Sequence, residues 1–180
     1  MGVPEQARCI SRFVTEKPQL ISNKQYGRGG LSEERNGKTM KLPLPPEVQF
    51  NEDVRLFVWR PRGVLNEAAI NKVLGSLEDL EAKLQAPFNR FSDTLAAHEV
   101  ELNFKYIIQV SLHRRLSCAG RPTVKSAVLA TDSTMIHYGR LHALLTQGSP
   151  INVRIFQDRK EAAKWLAVPI ERLAAKSGTD

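Results

Sequence analysis

Cysteine is scarce in this sequence, with Cys9 and Cys118 the only two in 180 residues. Two thiols so far apart make neither a disulfide framework nor a metal knuckle, and free thiols in a reducing compartment are the expected state. Long apolar runs are missing as well. Nothing approaches the roughly 20 residues that cross a bilayer, and no continuous apolar stretch follows the first charges, so a secretory signal is not expected. A cytoplasmic protein without a membrane span is expected. Phosphate-cradling loops are absent too: Gly27, Gly29 and Gly30 have no strand before them, so they make no dinucleotide fingerprint, and there is no Walker loop. Asp93 and His98 can be drawn with Ser111 or Ser133 as a triad, yet no Gly-x-Ser-x-Gly elbow presents a nucleophile. The four histidines, His98, His113, His137 and His142, lack ligand spacing. His137 and His142 fall on different faces of one helix, with no cysteine or carboxylate at a matching offset. Neither metal nor cofactor is expected, and His98 beside Glu99 and Glu101 is the single cluster suited to acid or base chemistry.

An apolar fraction of 42% with 25% charged residues is ample for a folded core, and the length suits one domain. The net charge of +7 raises the question of nucleic acid, but its distribution argues against it. Residues 1–46 carry eight Lys or Arg against four Asp or Glu, and the remainder eighteen against fifteen. Residues 1–46 have no sustained periodicity and read as a disordered or loosely attached basic leader ending in the stiff LPLPP step. Residues 47–180 read as the folded domain.

Within that domain the apolar period alternates between two and 3.6. Val48, Phe50, Val54, Leu56, Phe57, Val58 and Trp59 predict a hairpin. Asn66 then caps a helix carrying Ile70, Val73, Leu74, Leu77, Leu80 and Leu84. A strand is predicted over residues 88–95. A second helix from Asn103 is expected to turn Phe104, Ile107, Ile108 and Leu112 inward and to stop at Gly120. A strand follows over 123–131, then a third helix from Ser133 or Thr134 to Gly148. A strand over 151–156 and a last helix opened by Asp158 and Glu161 complete the order. Parallel neighbours joined by helices of this length make a small mixed, mostly parallel α/β sheet of four to five strands covered by about four helices.

The stretches VKSAVLAT, LLTQGSP, VRIF and DRKEAAKWLAVP, with WRPRG ahead of the first helix, resemble the SpoIIAA-like proteins of the STAS fold, named after sulphate transporters and anti-sigma-factor antagonists. The likeness spans about residues 48–169. It implies a non-enzymatic regulatory or interaction module of bacterial type, whose working surface is the start of the second helix and the loop before it. Phosphorylated antagonists of that group carry an Asp-Ser-Ser-Gly type motif there. Residues 98–104 read His-Glu-Val-Glu-Leu-Asn-Phe instead, with no Ser or Thr at the match, so the phosphorylation is not carried over. Asp93, Thr94, His98, Glu101, Asn103 and Phe104 are the expected partner- or ligand-binding residues. Arg114, Arg115 and Arg121 are candidates for anion binding, set against the plainer reading of cations at a helix C-terminus. A protein partner is the first expectation. A small apolar or anionic ligand, or a lipid, in a cavity of about 300 Å³ or more is the second. Homodimerisation stays open.

Overall fold

The computed structural model describes residues 44–84 and 86–174, so Cys9 and all but the last three residues of the expected leader lie outside the described residues. Strand β1 (Val48–Asn51) and strand β2 (Leu56–Trp59) form the expected antiparallel hairpin, with Val48 opposite Trp59. Its turn holds Arg55 at φ +47, a left-handed conformation unusual for a residue with a Cβ. The Arg55 guanidinium donates to the carbonyls of Pro87 (2.8 Å) and Ala86 (2.9 Å), which ties the turn to the next crossover.

Strand β3 (Gly63–Asn66) leads into helix α1 (Glu67–Leu84), followed by strand β4 (Asn89–Asp93), strand β5 (Ala97–Glu101) and helix α2 (Phe104–Ser117). Strand β6 (Val124–Leu129), helix α3 (Ser133–Leu145), strand β7 (Ile151–Phe156) and helix α4 (Arg159–Leu166) complete the chain, with a short 3-10 turn at Ile170–Arg172. The main sheet has five strands in the order β1-β2-β4-β6-β7, parallel throughout except for the hairpin. The expected class, a mostly parallel mixed sheet under four helices, is the one observed.

Alternation along the strands sorts side chains onto two faces. On one, Leu56, Val58, Phe91, Ala127 and Leu129 pack with Ala162, Ala163 and Leu166 of α4 and with Leu173. On the other, Val48 and Phe57 meet Val73, Leu77 and Leu80 of α1. Helix α3 lies close on β7 through Gly139, where a Cβ would stand 2.8 Å from Ile155 Cγ1.

An Asn or Asp caps each helix: Asn66, Asn103, Asp132 and Asp158 accept from the backbone N–H of Ala69, Tyr106, Met135 and Lys160 respectively. These caps carry the residue types that satisfy orphan N–H groups, which is why the helix starts were readable.

Two features differ from the sequence reading. Strands β3 and β5 were not anticipated; they pair in parallel as a separate two-stranded sheet. Each is short, and β5 alternates two apolar residues with His98, Glu99 and Glu101. The pair is held by burial of Leu65 and by packing of Ala97, Val100 and Leu102 around Ala130 and Met135. Gly63 permits the turn into β3, with φ +73. The second difference is the rotation of α2. Its buried residues are Tyr106, Ile107, Ser111 and Arg114, whereas Phe104 is 59% and Leu112 43% exposed. Asn103 sets the phase from the N-terminus, the Tyr106 hydroxyl reaches Asn71 Oδ1 (2.8 Å), and Ser111 and Arg114 find polar partners on α3 and α1. Those bonds outweigh a weak apolar stripe.

Candidate functional site

The expected site residues divide into separate groups. Asp93 is buried at the end of β4, where its Oδ2 accepts from Arg159 Nη2 (2.7 Å) and its Oδ1 from the Leu95 N–H (3.3 Å). Thr94 is also buried, and its hydroxyl donates to the Leu129 carbonyl at 2.8 Å. Both clamp the end of the sheet. His98, Glu101, Asn103 and Phe104 are exposed along β5 and the start of α2. Asn103, besides capping, donates to Glu67 Oε1 at 2.5 Å. Arg115 is exposed and donates to the Leu145 carbonyl, whereas Arg114 and Arg121 both turn onto Glu81.

Between the sheet and α1–α3 lies a cavity of about 170 Å³. The sheet contributes Phe57, Trp59, Arg90, Ser92, Ser126 and Val128, alternate residues of three adjacent strands. Ile70, Val73, Leu74 and Leu77 of α1 face them, and α2 and α3 close the sides with Ile107, Val110, Met135 and His142 among others. A second pocket, lined by Phe88, Arg90, Cys118, Arg121 and Val124 among others, reaches about 310 Å³, whereas the cavity against the sheet falls short of the expected 300 Å³. It does exceed the roughly 150 Å³ of an engineered apolar cavity that binds benzene.

Arg90 and Arg114 in this wall belong to a shared ion cluster that extends away from it. Glu81, on α1, accepts from Arg90 Nη2 (2.5 Å), Arg114 Nη2 (2.6 Å) and Arg121 Nη1 (2.9 Å). Glu78 takes a second Arg114 nitrogen at 3.2 Å and His113 Nε2 at 2.9 Å. Three arginines thus share two glutamates, leaving an excess positive charge. Glu81 is divided unequally. Burial pulls the Arg114 pKa down, but the hydrogen bond and charge of Glu81 more than offset it and the net shift is upward. Arg90 ends below its usual value, through burial first and then repulsion from Arg114, which Glu81 and the nearby Cys118 thiol do not cancel. Arg90 Nε–H is buried with no acceptor among the described residues.

His142, on α3, is half-buried, and its Nδ1 lies 2.8 Å from Ser111 Oγ. Ser111 spends its single hydroxyl proton on the Ile107 carbonyl at 2.6 Å. Nδ1 is therefore assigned as the donor to Oγ, which leaves Nε2 as a bare acceptor. Burial, then the Arg114 and Arg90 charges, push the His142 pKa down to about 4. A neutral imidazole is expected at pH 7.

Arg90, Glu81, Ser111 and His142 were not singled out from the sequence as a site. A signal was present for two of them. Glu81 continues the stripe Leu74, Leu77, Leu84 on α1, and Arg90 occupies a core-facing register in a strand flanked on both sides. A charge in either place needs a partner. Among the described residues no cluster of three or more His, Cys, Asp or Glu is arranged to hold a metal ion. Among them, too, no helix is long and apolar enough to cross a membrane.

An α/β domain with a small cavity between sheet and helices is the class these features define. No protein-family model matches the chain, and no curated protein matches it. Among solved structures it is similar to an uncharacterized protein from the DUF3478 family with a SpoIIAA-like fold, from Shewanella loihica PV-4. The identity is 17%, covering 66% of this chain and 90% of that one, with a TM-score of 0.44. That neighbour carries the fold name that the sequence resemblance gives; the fold class of this chain rests on its own strand order.

Proposed function

We propose that this chain is a non-enzymatic binding module that takes a small, largely apolar molecule, about one aromatic ring in size, into the cavity between the sheet and helices α1–α3. The supporting observation is the cavity itself, about 170 Å³ and walled by Phe57, Trp59, Ile70, Val73, Leu74 and Val128. An occupant of matching size gains dispersion contacts with these apolar walls. Toluene is the direct probe. It is expected to shift the methyl resonances of Ile70, Val73 and Val128 and to raise the unfolding midpoint, by about 2.7 kcal/mol in stability at a hundred times Kd. Val128→Phe, which fills the cavity from the sheet, should abolish both effects while the protein stays folded. Unmoved methyls at saturating toluene reject the reading.

A second reading concerns the outer surface. Phe104, 59% exposed at the first helical position of α2, follows the cap Asn103, and His98 and Glu101 are exposed on the strand before it. An aromatic side chain in water next to polar groups suits a protein contact. In this reading Phe104→Asp should leave the unfolding midpoint within about 0.5 kcal/mol of wild type and remove whatever partner the wild-type chain retains. A partner held equally by both proteins excludes this surface.

A further inference from the structure

Two polar groups in the wall of the cavity have hydrogen-bonding capacity to spare. Among the described residues, the fully enclosed side-chain nitrogens and oxygens without a partner are the Nε atoms of Arg60, Arg90 and Arg159. Ser126 Oγ and His142 Nε2 make no hydrogen bond among those residues either, so each keeps surface that a small molecule can touch. Ser126 is half-buried on β6, which has a strand on each side and helices over this face, so its open surface belongs to the cavity. His142 is half-buried too, yet burial is the first cause of its lowered pKa. The open part of its ring therefore faces the enclosed cavity and not bulk water. The two groups also share one end of the cavity. Helix α3 runs antiparallel to β6 and β7, as a crossover between parallel neighbours requires. Gly139 lies over Ile155, and His142 comes about 4.5 Å further back along the helix, near the level of Val153. Val153 is the ladder partner of Ser126 on one side, and Arg90, whose charge reaches His142, is its partner on the other.

Neutral and with its proton on Nδ1, His142 offers Nε2 as an acceptor, while the Ser126 hydroxyl has a proton to give. A carboxylate has no proton for Nε2, and an ammonium group meets the charges of Arg90 and Arg114, both in this wall. A hydroxyl on the occupant serves both groups, donating to one and accepting from the other. We propose that the ligand of this cavity is a small neutral alcohol, a phenol or a compact aliphatic one, whose hydroxyl donates to His142 Nε2 and accepts from Ser126 Oγ while its body lies against Phe57, Val73 and Val128. This assignment rests on the proposed ligand-binding function and adds the ligand's polar group to it.

The test compares phenol with toluene, a probe of similar size, on the full chain at pH 7. In a wholly apolar cavity toluene binds more tightly, because it gives up no hydrogen bond to water. Here phenol is expected to bind at least as tightly as toluene. The His142 Nε2 nitrogen resonance should move upfield with phenol, as an unprotonated ring nitrogen does on accepting a hydrogen bond, and hold its place with toluene. Ser126→Ala, and His142→Asn, which keeps an N–H for Ser111, should each lower the ratio of phenol to toluene affinity roughly two- to tenfold, the worth of one hydrogen bond. Val128→Phe should lose phenol as well. Phenol binding more weakly than toluene, or an Nε2 resonance indifferent to phenol, overturns the hydroxyl assignment and leaves the cavity reading standing. So does an affinity ratio unchanged in either variant. Phenol retained by Val128→Phe lies outside the cavity and overturns the assignment too. If toluene does not bind, the cavity reading falls and this assignment with it. Should His142→Asn not fold, Ser126→Ala and the wild-type Nε2 resonance decide.

Discussion

Replacing Glu81 with alanine is expected to destabilise the protein by about 3–5 kcal/mol, the range found when one partner of a buried ion pair is removed. Glu81 is 9% exposed in its side chain and is the common acceptor for Arg90, Arg114 and Arg121. Without it Arg114, 2% exposed, cannot reach water and cannot shed its proton. It keeps only Glu78 at 3.2 Å, a carboxylate 42% exposed and shared with His113. Arg90 loses its Glu81 partner altogether. Arg121, half in solvent, rehydrates at little cost. Most of the loss therefore arises at the two buried arginines. Glu81→Gln should recover part of it, because the amide oxygen still accepts one bond. Urea unfolding at pH 7 measures both variants, and a loss below about 1 kcal/mol for the alanine protein would mean the arginines find water on their own.

The second large effect depends on pH. The His142 pKa is about 4 in the folded chain, against an ordinary 6.5 when unfolded. Between those values the unfolded state binds the extra proton, so stability falls as pH drops from about 6.5 and the loss is complete below about 4. The shift corresponds to at most about 3 kcal/mol at 1.36 kcal/mol per pH unit. His142→Asn keeps an N–H for Ser111 and removes the titration. The stability difference between wild type and this variant is expected to move against wild type by up to about 3 kcal/mol from pH 7 to pH 4. Groups common to both proteins cancel in the difference. Parallel curves for the two proteins would show that the imidazole does not stay neutral in its folded surroundings.

His142 also illustrates how much of the candidate site was readable. Its spacing from His137 puts the two on different faces of one helix, yet spacing along one helix says nothing of Ser111 or Arg114 across the interface. Arg114 was read as a cation at a helix end, and it does lie in the last turn of α2. Its burial follows from Glu78 and Glu81 on a different helix. The elements of the main sheet were legible because their signals are local: Asn and Asp caps, Gly120 and Gly148 at positive φ after helices, and Ile, Val and Phe alternation in β7. Strands β3 and β5 escaped because neither has an apolar face wide enough to declare itself, and each exists by pairing with the other. The rotation of α2 escaped for a related reason. Its apolar residues do not form one stripe, so the polar bonds of Tyr106, Ser111 and Arg114 decided which side turned inward.

Residue order alone determined the order and type of the principal helices and strands of the main sheet and that parallel strands must be joined by crossovers, because caps, stops and periodicity act over a few neighbouring residues. Only the tertiary structure decided that Arg90, Ser92, Ser126 and His142 share one cavity and that Glu81 binds three arginines. Those relations join separate strands and helices across the core, where charge is tolerated only when the fold brings it a partner.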